Sequence, residues 1–106
     1  MPPIDRAALD AQTGGDADLA REVLMLFAGQ CRSILPRLTD PALPRGERAD
    51  LAHTLKGSAA GVGATRIHAL ADAAETRLRD GGGPVPLDDL ADAVAAALAA
   101  VAVWHP

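Results

Sequence analysis

The sequence predicts an all-α protein: an antiparallel four-helix bundle with a short extra N-terminal helix. Three observations carry that expectation. Alanine dominates the apolar residues, and it is the strongest helix former. Runs of β-branched and aromatic residues that would argue for strands are missing, and Phe27 and Trp104 are the only large aromatics. Four long segments repeat apolar residues at helical spacing, separated by short breaks rich in Gly and Pro. At 106 residues, the chain is long enough for one core without disulfide or metal staples, so a single domain over residues 1–106 is expected.

The first element is short. Residues 4–9 predict a helix or turn with Asp5 as N-cap and Thr13-Gly14-Gly15 as its stop, lying across the main body as a lid. Asp16 or Asp18 opens a long helix. In it Leu19, Val23, Leu26, Phe27, Gln30, Ile34 and Leu38 recur at heptad-like spacing, and Leu24, Cys31 and Leu35 widen the apolar face. Pro36 should kink this helix or end it near Leu35, because proline removes one hydrogen bond and crowds the preceding turn. Residues 39–44 form a loop with Pro41 and Pro44 as breakers. A third helix spans residues 45–62, its end bracketed by Gly61 and Gly63. A fourth spans residues 64–79, with Ile67, Leu70, Ala71, Ala74 and Leu78 inward. Residues 81–86 (Gly-Gly-Gly-Pro-Val-Pro) are the plainest loop. Asp88 and Asp89 then complement the dipole of a last helix, whose stripe is Leu87, Leu90, Val94, Leu98 and Val101.

Composition removes several function classes. The formal charge is −4 and no basic stripe exists, which argues against nucleic acid, as does the shortage of stacking aromatics. The longest apolar run, residues 93–104, is too short for a membrane span of about 20 residues. The N-terminal residues do not form a secretory signal. A lone cysteine, Cys31, cannot pair internally and reads as a small core residue, so a reducing, cytoplasmic setting is expected. The histidines stand 15 and 37 residues apart, with no zinc-ligand spacing. The glycines of residues 57–63 follow Lys56 rather than precede it, so the order of a phosphate-binding loop fails. Nor does residues 61–66 fit a dinucleotide fingerprint, since Arg66 stands where Gly is needed.

The chemistry gathers on the third helix. At about 100° per residue, Leu51, Leu55, Ser58 and Val62 share a core-facing side. His53 points roughly 200° from Leu51, on an outer face with Ala49, Lys56, Gly57 and Ala60. Lys56 and Gly57 lie three and four residues on, where side chains meet on a helix surface. Such a face is unusual: a mid-helix glycine costs about 1 kcal/mol relative to alanine, and Lys56 is the only lysine beside nine arginines. The residues by themselves also fit an ordinary surface histidine beside a packing glycine.

The run His53-Thr54-Leu55-Lys56-Gly57-Ser58-Ala59, followed by Val62-Gly63-Ala64, resembles the signature of the histidine phosphotransfer (HPt) domains of bacterial phosphorelays. The likeness extends upstream through Asp16-Ala17-Asp18-Leu19 to Leu26-Phe27. Downstream it extends through Leu70 and Glu75 to Leu78, although Ala71 and Ala74 are smaller than residues often found there. The resemblance implies that His53 accepts a phosphoryl group from a receiver-domain aspartate and passes it to another receiver. Lys56 would offset the phosphoryl charge, while Ala49, Gly57 and Ala60 would form the receiver docking face. It also implies that the chain binds no cofactor or metal of its own, with Mg²⁺ on the partner receiver. The expected partners are response-regulator receiver domains and a hybrid histidine kinase. Without an ATP-binding segment the chain should be a phosphocarrier lacking autokinase activity, and a monomer. The competing class is a non-catalytic helical protein-interaction module.

Overall fold

A computed structural model describes residues 2–81 and 83–105; Gly82 of the predicted 81–86 loop lies outside the described residues, as do Met1 and Pro106. It contains five helices: α1 (Arg6–Thr13), α2 (Ala17–Leu38), α3 (Arg45–Gly61), α4 (Thr65–Asp80) and α5 (Asp88–Ala102). No strand occurs among the described residues, so the all-α expectation holds. Local chemistry sets the ends. Asp5 accepts from the backbone N–H groups of Ala7 and Ala8 at the start of α1, and Asp16 accepts from Leu19 at the start of α2. Gly14 and Gly81 close α1 and α4 in the left-handed conformation that glycine adopts without penalty.

The four long helices form a ring in which α2 packs on α3, α3 on α4, α4 on α5 and α5 on α2. Cross-helix pairs give the direction. As numbering rises along α3 it falls along α4: Asp50 meets Arg79, His53 meets Glu75 and Lys56 meets Asp72. Two arginines near the start of α3 cap neighbouring C-termini, where carbonyls lack partners and the helix dipole favours cations. Arg48 Nε donates to the Leu38 carbonyl of α2 at 2.8 Å, and Arg45 Nη2 to the Arg77 carbonyl of α4 at 2.8 Å. The α2 and α4 C-termini therefore lie at the end where α3 begins, as an antiparallel bundle requires.

The core runs through the bundle as Leu24, Phe27, Cys31, Ile34 and Leu38 of α2, Leu55 of α3, Ile67 and Leu78 of α4, and Leu90 and Val94 of α5. Small side chains line the α3–α4 seam. α3 and α4, the most extensive helix pair among the described residues, bury Ala49, Ala52 and Ala59 on the one and Ala71 and Ala74 on the other. Short side chains let two helix axes approach closely, which compensates for the reduced bulk of Ala71 and Ala74. Burial also corrects the expectation for Ala49. It is fully buried rather than on an outer docking face, because a wheel drawn for one helix does not show which sector its neighbours in the bundle cover.

The α2 stripe is shifted from the sequence expectation. Leu26 is 67% and Leu19 40% exposed, and Gln30 is exposed. Two heptad-spaced stripes adjoin on this helix, and the positions of α3 and α5 select the one through Leu24, Cys31 and Leu38. Pro36 does not end the helix, which continues to Leu38. Only one hydrogen bond is forfeited there, and the Thr39 N–H and hydroxyl both donate to the Leu35 carbonyl, at 3.0 and 2.8 Å, fixing the last turn.

The short helix α1 closes one end of the bundle. Asp5 N–H donates to the Gly63 carbonyl at 2.8 Å, and a Cβ on Gly63, at φ +75°, would stand 2.7 Å from the Asp5 carbonyl oxygen. Arg6 stacks over the Trp104 ring at 4.0 Å and donates to the His105 carbonyl at 2.8 Å. Gly63 is ten residues beyond His53, about 15 Å of helix rise, so this lid covers the end of the bundle and not His53.

Candidate functional site

His53 sits mid-way along α3 with its side chain 63% exposed. Its Nδ1 lies 3.1 Å from Oε1 of Glu75 on α4, whose own side chain is only 12% exposed. The same oxygen accepts from Lys56 Nζ at 2.8 Å, and Lys56 also reaches Asp72 Oδ1 at 3.2 Å. The second Glu75 oxygen, Oε2, accepts from Arg79 Nε at 2.9 Å and lies 2.9 Å from Nη2 as an ion pair. Arg79 Nη2 in turn reaches Asp50 Oδ1, back on α3, at 3.1 Å. One carboxylate thus gathers an imidazole, an ammonium and a guanidinium.

The electrostatics follow from that crowding of donors. Hydrogen bonding from Lys56 is the largest influence on Glu75. Partial burial opposes it, and Arg79 and His53 add to it; the net effect holds the Glu75 carboxyl at about 2. Glu75 in turn raises Lys56 and Arg79 above their ordinary values, with Asp72 and Asp50 as the respective second partners. An ionised carboxylate can only accept. In the neutral imidazole, Nδ1 must therefore carry the proton, and Nε2 keeps its lone pair. Nε2 has no hydrogen-bond partner among the described residues. The arrangement is an exposed nitrogen nucleophile whose tautomer is set from behind by a fixed acceptor.

The surface beside it is open. A Cβ added at Gly57 would meet nothing within 4 Å, and Ala60 is exposed. Of the residues expected at the site, the structure keeps His53, Lys56, Gly57 and Ala60 together and removes Ala49 to the core. Asp50 lies at the edge, engaged by Arg79, and Ser58 is half-buried. The other histidines differ in kind. His68 faces the Lys56 carbonyl oxygen through Nδ1 at 3.1 Å, and His105 is exposed near the chain end. Neither meets a carboxylate among the described residues. Cys31 is buried, and burial pushes its thiol up to about 11, which suits a core residue rather than a reactive one. No group of three potential metal ligands occurs among the described residues.

Comparison with known families supports the phosphocarrier class. Residues 21–104 match the model of the Hpt domain. The chain belongs to the Hpt domain family. Searches of curated proteins and of solved structures returned no significant match. Hpt domains are phosphocarriers of histidine phosphotransfer in two-component phosphorelays, working with response-regulator receiver domains and kinases, and this chain is one of them. No helix of this Hpt domain, among the described residues, is long and apolar enough to cross a membrane.

Glu75 is the member of the site that reading the sequence missed. It stands four residues after Ala71 and three before Leu78, on the buried side of α4. A carboxylate at such a position needs cationic or N–H partners to offset its desolvation, and that signal was available. Arg79, four residues on along the same helix, was within reach of such a reading. His53 and Lys56 were not, because they lie on another helix, 22 and 19 residues away.

Proposed function

We propose that His53 is the phosphoryl acceptor of this Hpt domain. The Nε2 lone pair attacks the phosphorus of a receiver's aspartyl phosphate. The N–P bond forms, the P–O bond to the aspartate breaks, and the carboxylate leaves with its electron pair. The reverse step, on a second receiver, returns the group to an aspartate. The observation that carries this reading is the pairing of Nδ1 with Glu75, which leaves Nε2 unprotonated on an open face. Phosphoryl transfer needs mainly positioning and charge stabilisation, and the partner supplies the Mg²⁺ and the aspartate. Lys56 offsets the phosphoryl charge: its Nζ, three residues from His53, turns from Asp72 toward the new oxygens while remaining within reach of Glu75. The domain carries no autokinase activity.

Residues 1–106 act as one domain, a cytoplasmic monomer whose partners are receiver domains and a hybrid histidine kinase. The docking face comprises Gly57 and Ala60 on α3, extended by Leu26 of α2. Support for Leu26 comes from its exposure and from the antiparallel register that the Arg48–Leu38 contact sets, which brings Leu26 level with Ala60. The test is incubation with a receiver carrying labelled aspartyl phosphate. Acid-labile label should appear on the wild type and on His68→Gln and His105→Gln, and not on His53→Gln. Labelling of His53→Gln would reject the acceptor. Receiver binding without labelling of the wild type would favour a plain interaction module.

A further inference from the structure

The acceptor imidazole is oriented by Glu75, yet nothing in Glu75 itself holds its carboxylate plane. The terminal torsion of a glutamate is broad. Here Oε1 must serve two donors, His53 Nδ1 at 3.1 Å and Lys56 Nζ at 2.8 Å. Lys56 is a compact point charge on a flexible stem and does not define a plane. Arg79 does. Its Nε and Nη2 both contact Oε2, and a guanidinium is rigid and flat. Arg79 is one turn from Glu75 on α4, and its Nη2 also reaches Asp50, three residues before His53 on α3. The guanidinium thus ties the carboxylate to the helix that carries the acceptor. The three contacts are reciprocal: α3 presents Asp50 and His53, and α4 presents Arg79 and Glu75 between them.

We infer that Arg79, braced by Asp50, is a positioning residue that fixes the Glu75 carboxylate plane and through it the Nδ1–H tautomer of His53. It touches neither the phosphoryl group nor His53. The inference rests on His53 being the acceptor for its consequence in transfer, but the tautomer itself can be read without any partner. Without Arg79, Oε2 loses the Nε donor and the Nη2 contact, and the carboxylate turns toward Lys56 and water. The imidazole then samples the Nε2–H form, in which the attacking lone pair is absent.

The experiment uses the full chain labelled with ¹⁵N, with His53 ring nitrogens observed at a pH where the imidazole is neutral. Transfer from a phosphorylated receiver and the melting temperature are measured in parallel. Wild type should show Nδ1–H almost alone. Arg79→Gln should populate Nε2–H visibly and slow transfer about tenfold, the scale of one lost charge-assisted contact. Arg79→Lys keeps the charge without the fork. It should recover the melting temperature while leaving the tautomer mixed. Asp50→Asn should move the tautomer in the same direction by less. An unchanged tautomer in Arg79→Gln would overturn the inference and leave Arg79 as an ordinary ion pair between helices. Full recovery of the tautomer in Arg79→Lys would overturn it too, since charge alone would then suffice. Should wild type fail to accept phosphate, the acceptor assignment falls, while the tautomer comparison still decides the role of Arg79.

Discussion

Replacing Gly57 should make this domain more stable and less active. Gly57 lies within α3, one turn after His53, in helical backbone. A Cβ there meets nothing within 4 Å, so alanine neither clashes nor packs. What remains is helix propensity, a gain of up to about 1 kcal/mol for Gly57→Ala. For a domain near 100 residues that corresponds to a rise of about 4–8 °C in melting temperature. Gly57→Leu should retain most of this gain, since leucine is also a good helix former. Side chains on a helix lean toward its N-terminus, so a leucine at 57 would spread over the turn that presents His53. Transfer from a phosphorylated receiver should fall at least about tenfold, on the scale of one steric intrusion into a docked interface. Phosphorylation by a small phosphoramidate donor, which needs no docking face, should suffer less. The assay pairs thermal melts with transfer from both donors. Normal receiver transfer by Gly57→Leu would refute the open face as a docking surface. A lowered melting temperature in Gly57→Ala would refute the accounting of its space.

Three further outcomes are expected. Glu75 has its folded-state pKa lowered from 4.5 to about 2, so its contribution to stability is present above about 4.5 and is lost as pH falls toward about 2. Acid melts of Glu75→Gln should show a shallower loss of stability across that window than wild type, and its His53 tautomer should be mixed at neutral pH. Lys56→Arg should retain most transfer activity, whereas Lys56→Gln should slow it about fivefold, with the difference shrinking at high salt as exposed charges are screened over about 10 Å at 0.1 M. Equal rates for all three at low salt would leave Lys56 as a brace for Glu75 only. Leu26→Glu should weaken receiver binding without unfolding, while Val103→Glu should not, because the equally exposed Val103 follows α5, across the bundle from α3. Titration of both variants with one receiver checks the pair.

Much of the architecture was legible residue by residue. Asp5, Asp16 and the glycines at 14 and 81 act on their own neighbours, so their roles as caps and stops could be read in order along the chain. α3 and α4 were found within one residue of their observed bounds for the same reason, whereas α1, expected over residues 4–9, runs Arg6–Thr13. The exposure of His53 and the emptiness beside Gly57 also follow from one helix and its period. Errors arose wherever a second helix chose. The adjacent apolar stripes of α2 both satisfy a seven-residue repeat, and only the flanking α3 and α5 distinguish Leu24 from Leu26.

By itself the sequence determined the elements, their ends, the family and the candidate acceptor, since these depend on periodicity, caps and a contiguous motif. The tertiary structure decided which faces are covered and which charges meet. Ala49 is buried because neighbouring helices cover it. His53 Nδ1 has a carboxylate acceptor because Glu75, 22 residues onward, faces it from α4. The physical reason is that side-chain orientation within a helix is local, whereas burial and ion pairing depend on the register between helices. Arg45 and Arg48 anchor the start of α3 to its neighbours in that register.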